Sequence, residues 1–232
     1  MKFKSYVVAA AVVLSLGAMG VEGASTGKRS TTTITALSND ANGIFEDQTG
    51  TAITLNGALV SGGIARAAAS QQVSLESSGN ISGVTFLITG TDADGRYQAE
   101  VLTGPNADTV KTVLYFLTVD SVTPSGSVGT NVEGGWLSTN GAVSQTLVPD
   151  LASYTALMSI VVDSCTCTYT VEHTSYNKPS SVDGIWFDTV AMVSKTADAE
   201  GNIVAAVGGV RAKITAYTSG ELSIMILQAS NR

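Results

Sequence analysis

Residue types that could do chemistry are few in this chain, and they lie far apart. Asp92-Ala93-Asp94-Gly95 matches the opening of a calcium loop, in which alternating carboxylates aim hard oxygen ligands at one ion. A full loop needs several more oxygens and a bidentate acid at its far end. Glu100 is the nearest acid, and it falls inside the β-rich run that follows. Asp and Gly in this order are also turn formers, so a hairpin turn explains the four residues without a metal. His173, the single histidine, would have to act as general base for a serine, but no Gly-x-Ser-x-Gly elbow presents one. It shares a strand face with Tyr169 and Val171 and reads as a packing or interface residue. Glu172 and Asp188 are the candidates for a paired-carboxylate site, which sequence separation cannot establish. Gly104-Pro105-Asn106-Ala107 is not followed by the Gly-Lys-Ser/Thr of a phosphate loop. The residues thus nominate no catalytic group, no cofactor-binding group and no metal ligand, and the chain is expected not to be an enzyme and to need no cofactor.

The two cysteines, Cys165 and Cys167, fall on one face of an alternating run. In an extended strand residues two apart are separated by about 6.6 Å. A disulfide wants Cβ atoms about 3.8 Å apart, so both are expected to be buried free thiols. Four aromatics, Trp136, Tyr154, Trp186 and Phe187, lie in or beside connections. There they could anchor a partner surface or stack on sugar rings, and they are the candidate interface residues.

These residues hang on β-strands. Gly83 to Thr89 and Arg96 to Thr103 flank a Gly-Thr-Asp-Ala-Asp-Gly turn and should form an antiparallel hairpin. Thr109 to Val122 carries Val113, Tyr115, Leu117 and Val119 on one face and Leu114 and Phe116 on the other. A strand apolar on both faces belongs inside a sheet, with Phe116 buried. Further strands are expected at Lys28 to Ser38, Thr51 to Leu59, Gln71 to Ser77, Val143 to Val148, Leu157 to Val162 and Thr166 to Thr174. A second hairpin, Val210 to Tyr217 and Glu221 to Gln228, would turn at Ser219-Gly220. Asn39 to Gly50 and Gly126 to Gly141, with Trp136, read as loops, and Pro149-Asp150 starts a turn. Roughly ten strands with no convincing helix after residue 25 give an all-β, antiparallel β-sandwich or jelly-roll-like fold.

Composition agrees: 24 glycines, four prolines and 13% charged residues in 232 suit short strands and tight turns. The net charge of −7, with 12 scattered Lys and Arg, leaves no basic face to neutralise phosphates, so no nucleic-acid partner is expected. The first 24 residues differ from the rest. Lys2 and Lys4 precede an apolar run, Val7 to Val21, with small residues near Gly20 to Ala24, matching a secretory signal peptide. The run is short for a membrane span. Residues 1–24 therefore read as an arm or a signal-like segment, retained or cleaved, with membrane contact of residues 7–21 as one use. Residues 25–232 read as the sandwich domain, or as two subdomains meeting near 127–142.

Three stretches together resemble a family of structural proteins of tailed bacteriophages. They are Ile53-Thr-Leu-Asn-Gly-Ala-Leu-Val-Ser-Gly-Gly63, the Gly83 to Gly126 meander, and Thr168-Tyr-Thr-Val-Glu-His-Thr174 with Val210-Arg-Ala-Lys-Ile and Ser223 to Gln228. The likeness covers most of residues 50 to 232. It implies a non-enzymatic virion protein, a homo-oligomer taken to be a trimer, that decorates or cements a capsid shell beside the major capsid protein or other virion subunits. A collar, tail or fibre-attachment position fits the same likeness. The apolar start departs from the family and keeps a secreted or surface adhesin or sugar-binding module as the rival.

Overall fold

The computed structural model describes residues 28–149, 156–175, 185–203 and 207–228. Residues 1–24, with the apolar run 7–21, lie outside that set. The strands are β1 Lys28–Ile34, β2 Asp40–Gly50, β3 Val60–Ser61, β4 Ile64–Glu76, β5 Thr85–Thr91, β6 Tyr97–Thr103 and β7 Thr109–Pro124. They continue with β8 Val128–Trp136, β9 Ala142–Val143, β10 Ala156–Thr174, β11 Phe187–Asp188, β12 Ala199–Ile203 and β13 Gly209–Gln228. A single 3-10 turn, Val190–Met192, is the one helical element among the described residues. The fold is all-β and antiparallel, a sandwich built from one continuous hydrogen-bonded sheet. Its main path runs β11-β10-β13-β9-β4-β7-β5-β6, with β1 on β13, β12 on β10, β3 and β8 on β4, and β2 on β8.

Two apolar cores sit within it. Val73, Leu75, Phe86, Ile88, Phe116 and Trp136 belong to one, and Tyr169, Val171, Met192, Ile214, Ile224 and Ile226 to the other. The two-residue strand β9 joins the parts, since Ala142 and Val143 pair with Ile214 and Lys213 on one side and with Gln71 and Ser70 on the other.

The expected β5–β6 hairpin is present. Asp92 Oδ1 accepts the amides of Asp94 and Arg96 at 2.9 and 2.8 Å, and Gly95 takes φ +76°. The Asp-Ala-Asp-Gly stretch is thus a turn held by its own first carboxylate. β7 lies inside the sheet between β4 and β5, and Phe116 is fully buried. Val113, expected inside, is instead 76% exposed. The cause is a bulge in which Thr112, Val113 and Leu114 of β7 oppose Val73 alone of β4. Side chains take over its backbone groups. The Val73 amide donates to Thr112 Oγ1, that hydroxyl to the Leu114 carbonyl, and Gln72 Nε2 to the Thr112 carbonyl. Glu100 receives the amides of Val113 and Leu114, one on each carboxylate oxygen, both at 2.8 Å. Glu100, the acid nearest the Asp-Ala-Asp-Gly stretch, closes a β-bulge.

Further expectations are corrected. Asn39 to Gly50 is strand β2, not loop, and Thr51 to Leu59 holds no strand. β2 lies close on β8 because Gly134 and Gly135 leave room: a Cβ at Gly134 would enter the Phe45 ring, and one at Gly135 the Asp40 carbonyl. Gly126 to Gly141 accordingly contains β8, and Trp136 ends a strand in the core rather than standing in a loop. Val210 to Gln228 is not a hairpin. It belongs to one 20-residue strand, Gly209–Gln228, whose two halves pair in succession along β10, and Gly220, at φ +93°, absorbs an irregularity where Asp163 and Ser164 both face Glu221. Likewise Leu157 to Val162 and Thr166 to Thr174 are one strand, β10.

Glu100→Ala strips the Val113 and Leu114 amides of a charged acceptor and should cost about 1.5–3 kcal/mol, with Glu100→Gln costing less. Urea unfolding checks this; a midpoint equal to wild type would contradict the bulge assignment.

Candidate functional site

The strongest concentration of charge forms where β10, β13 and β7 meet the segment leading into β11. Strand alternation places Glu172 of β10 opposite Arg211 of β13, with Lys213 two residues on along the same face. Glu172 is only 4% exposed. Arg211 donates from Nε and from its Nη2 to Glu172 Oε2, at 2.8 and 2.7 Å, and Lys213 Nζ donates to Oε1 at 2.8 Å. Both carboxylate oxygens are therefore occupied by cations, in the geometry that makes burying such a charge tolerable. The guanidinium also lies over the Trp186 ring at 4.0 Å and near the Tyr115 ring at 5.7 Å. Burial pushes the Tyr115 hydroxyl above its usual range. Burial pulls Lys213 down, but the hydrogen bond and charge of Glu172 outweigh it and leave the ammonium's pKa raised. The space between this cluster and the Asp92–Arg96 turn is about 10 Å³, room for a single water at most.

Asp188 is the β-ladder neighbour of Glu172, so the two carboxylates imagined as a pair are adjacent in the sheet. Glu172 is nonetheless committed to Arg211 and Lys213, and Asp188 is exposed. His173 is half-buried, with Nδ1 3.0 Å from Thr189 Oγ1 and its ring 6.0 Å from that of Phe187; burial lowers its pKa. Among the described residues, no group of three or more His, Cys, Asp or Glu is gathered as a metal would require.

The four candidate interface aromatics separate. Trp136 is fully buried and Trp186 is half-buried under Arg211, while Phe187 is 51% exposed. Tyr154 lies outside the described residues. The sequence reading missed the company Phe187 keeps. Ile185, Phe187, Val190 and Val193 are all exposed, Val190 at 92%, while Met192 between them is buried and pins the 3-10 turn to the core. The run Ile-Trp-Phe-Asp-Thr-Val-Ala-Met-Val carried the signal in its apolar content. Its inward and outward positions depend on a turn that alternation does not reveal.

The cysteines are corrected as well. Cys165 and Cys167 form a disulfide, with a Cα–Cα distance of 5.4 Å. β10 is not extended there: its register with β13 shifts between Thr166 and Cys167 and again between Thr168 and Tyr169. The local contraction brings the pair within disulfide range.

No family model matches the chain, and no curated protein is similar to it. Among solved structures it is loosely similar to the major capsid protein P2 from bacteriophage PM2. That match has 10% identity, covers 88% of this chain and 99% of that chain, and has a TM-score of 0.22. A superposition that loose carries no weight for function.

Glu172→Ala leaves two cations without their buried partner and should cost about 3–5 kcal/mol in chemical unfolding; a loss under about 1 kcal/mol would show the cluster to be incidental. Alkaline pH tests the same region. Tyr169, buried and near Asp198, is pushed up to about 12, and Tyr115 and Lys213 are also raised. Groups raised on folding stabilise fully below their unfolded values and lose that contribution as pH rises through the folded ones. Stability should hold up to about pH 10 and fall between about 10 and 12, less steeply in Tyr169→Phe. A flat urea midpoint across that range would contradict this.

Proposed function

We propose that this protein is a non-enzymatic structural subunit of a phage-type virion, decorating or cementing the capsid shell as a homo-oligomer. The observation that carries the reading is the exposed apolar strip Ile185, Phe187, Val190 and Val193, flanked by the buried Met192 and by the Trp186–Arg211 stack. Aliphatic and aromatic side chains left in water on an ordered segment are what a binding surface presents. The ionic cluster beside the strip supports the same reading, since Glu172 has both oxygens bound and none left to move a proton. The resemblance to tailed-phage structural proteins supplies the kind of assembly. Shell contacts of modest area, repeated over many copies, gain strength through avidity.

A second reading has its own support. The Cys165–Cys167 disulfide suits an oxidising location, which fits a secreted or surface β-sandwich module that binds a partner or a sugar through the same strip.

Particles purified on a density gradient from a producing culture separate the two. The chain should co-sediment with the major capsid protein at a fixed ratio, and Val190→Glu with Phe187→Glu should reduce that occupancy at least about tenfold while leaving the fold intact. Recovery of wild type only as free protein in the medium would overturn the virion reading in favour of the secreted one.

A further inference from the structure

The disulfide occupies a distinctive place in the sheet. β10 and β13 carry flanking strands at both ends. β12 reaches Ile160 and β1 reaches Leu222 at one end, and β9 reaches Ile214 at the other, where Tyr169 also bridges Lys195. Between these limits, over Asp163–Thr168 and Thr215–Glu221, no third strand pairs with them among the described residues. The sheet narrows there to a two-stranded neck. All three register shifts of the long ladder fall within it: between Asp163 and Ser164, Thr166 and Cys167, and Thr168 and Tyr169. From Ser164 to Tyr169 β10 advances five residues while β13, from Glu221 to Ile214, advances seven. β13 therefore holds surplus chain in bulges, leaving Thr215 and Thr218 unpaired. Thr215, Ala216, Thr218 and Ser219 are exposed.

A two-stranded ribbon with three irregularities and one wet face is the weakest form a sheet takes. The bridge lies on it. It holds Cys165 and Cys167 at 5.4 Å between Cα atoms, against about 6.6 Å for an extended pair. It thereby keeps β10 short at the place where β13 is bulged. Because it encloses only Thr166, it constrains the unfolded chain little, and its effect must be local. Both cysteines, themselves largely buried, line a surface groove of about 410 Å³ with Thr166, Thr168, Thr196, Tyr217 and Thr218.

We infer that Cys165 and Cys167 form a reversible redox clasp that sets the stiffness of this neck, closed by exchange with a small-molecule disulfide and opened by thiols. In closing, one cysteine loses its proton and its sulfur attacks the small disulfide, forming a mixed disulfide and releasing one thiolate. The second cysteine, deprotonated in turn, attacks the protein sulfur of the mixed disulfide and releases the other thiolate. Two protein thiols are oxidised, one small disulfide is reduced to two thiols, and the protons pass to the thiolates released. An open clasp lets the neck flex; a closed one holds the two ends of the ladder in fixed relation. The inference does not depend on the virion reading.

The test is hydrogen exchange by mass spectrometry on the full chain, oxidised with glutathione disulfide or reduced with dithiothreitol, with redox state read from intact mass. Reduction should speed exchange of peptides spanning residues 163–168 and 215–221 by about tenfold or more, while Tyr169–Glu172 and Arg211–Ile214 stay protected. Cys165→Ser with Cys167→Ser should match the reduced protein without any reductant. Equal exchange in the two states would overturn the inference. So would a rise spread evenly over both cores, which would make the bridge a global staple, and so would a chain that stays a dithiol in glutathione disulfide.

Discussion

The long antiparallel ladder between β10 and β13 is the constraint on which the rest of this structure depends. Strands of 19 and 20 residues run side by side, and β1, β9, β11 and β12 are all placed by pairing with one of them. A strand that long cannot stay regular, because twist accumulates along it. The ladder releases it at a few points, with Gly220 at positive φ and unpaired residues in β13. Its ordered end, Tyr169 to Thr174 against Gly209 to Ile214, carries the Glu172–Arg211–Lys213 cluster and reaches the other half of the sheet through Ala142 and Val143. The ionic cluster thus sits where the two halves of the fold meet, and Tyr115 of β7 and Trp186 close over it.

The same economy governs the polar groups elsewhere. Where β4 and β7 fall out of register, Gln72, Thr112 and Glu100 supply the bonds that the ladder cannot. Buried Gln71 binds the backbone of Ser38 with both ends of its amide and also donates to Leu137. Polar side chains that look available in the sequence are thus consumed in holding an irregular sheet together. Over residues 185–193 the side chains that face outward include the apolar Ile185, Phe187, Val190 and Val193.

Parts of this were legible in the residues. The β5–β6 hairpin was, because Asp-Gly between alternating runs has one economical solution, and so was burial of Phe116 on an internal strand. β2 was not, since Asp-Ala-Asn-Gly-Ile-Phe-Glu-Asp-Gln-Thr-Gly is dense in turn formers and becomes a strand only against the glycines of β8. Ser219-Gly220 failed for a related reason: glycine at positive φ serves a hairpin turn and a bulge equally well, and only the partner strand decides. The disulfide was hidden by the same bulging, because an extended strand was the right assumption everywhere along β10 except at the cysteines. Of the interface aromatics, Phe187 lies on the exposed strip while Trp136 is core, a distinction that a strand's inward and outward faces make and a residue list does not.

The proposed role has this chain built into a shell through its exposed strip. Cryo-electron microscopy of purified particles tests it most directly. The account predicts density for the chain repeating with the symmetry of the shell, with residues 185–193 buried against a neighbouring subunit. Particles without that density, or a chain seated with this strip facing solvent, would contradict it.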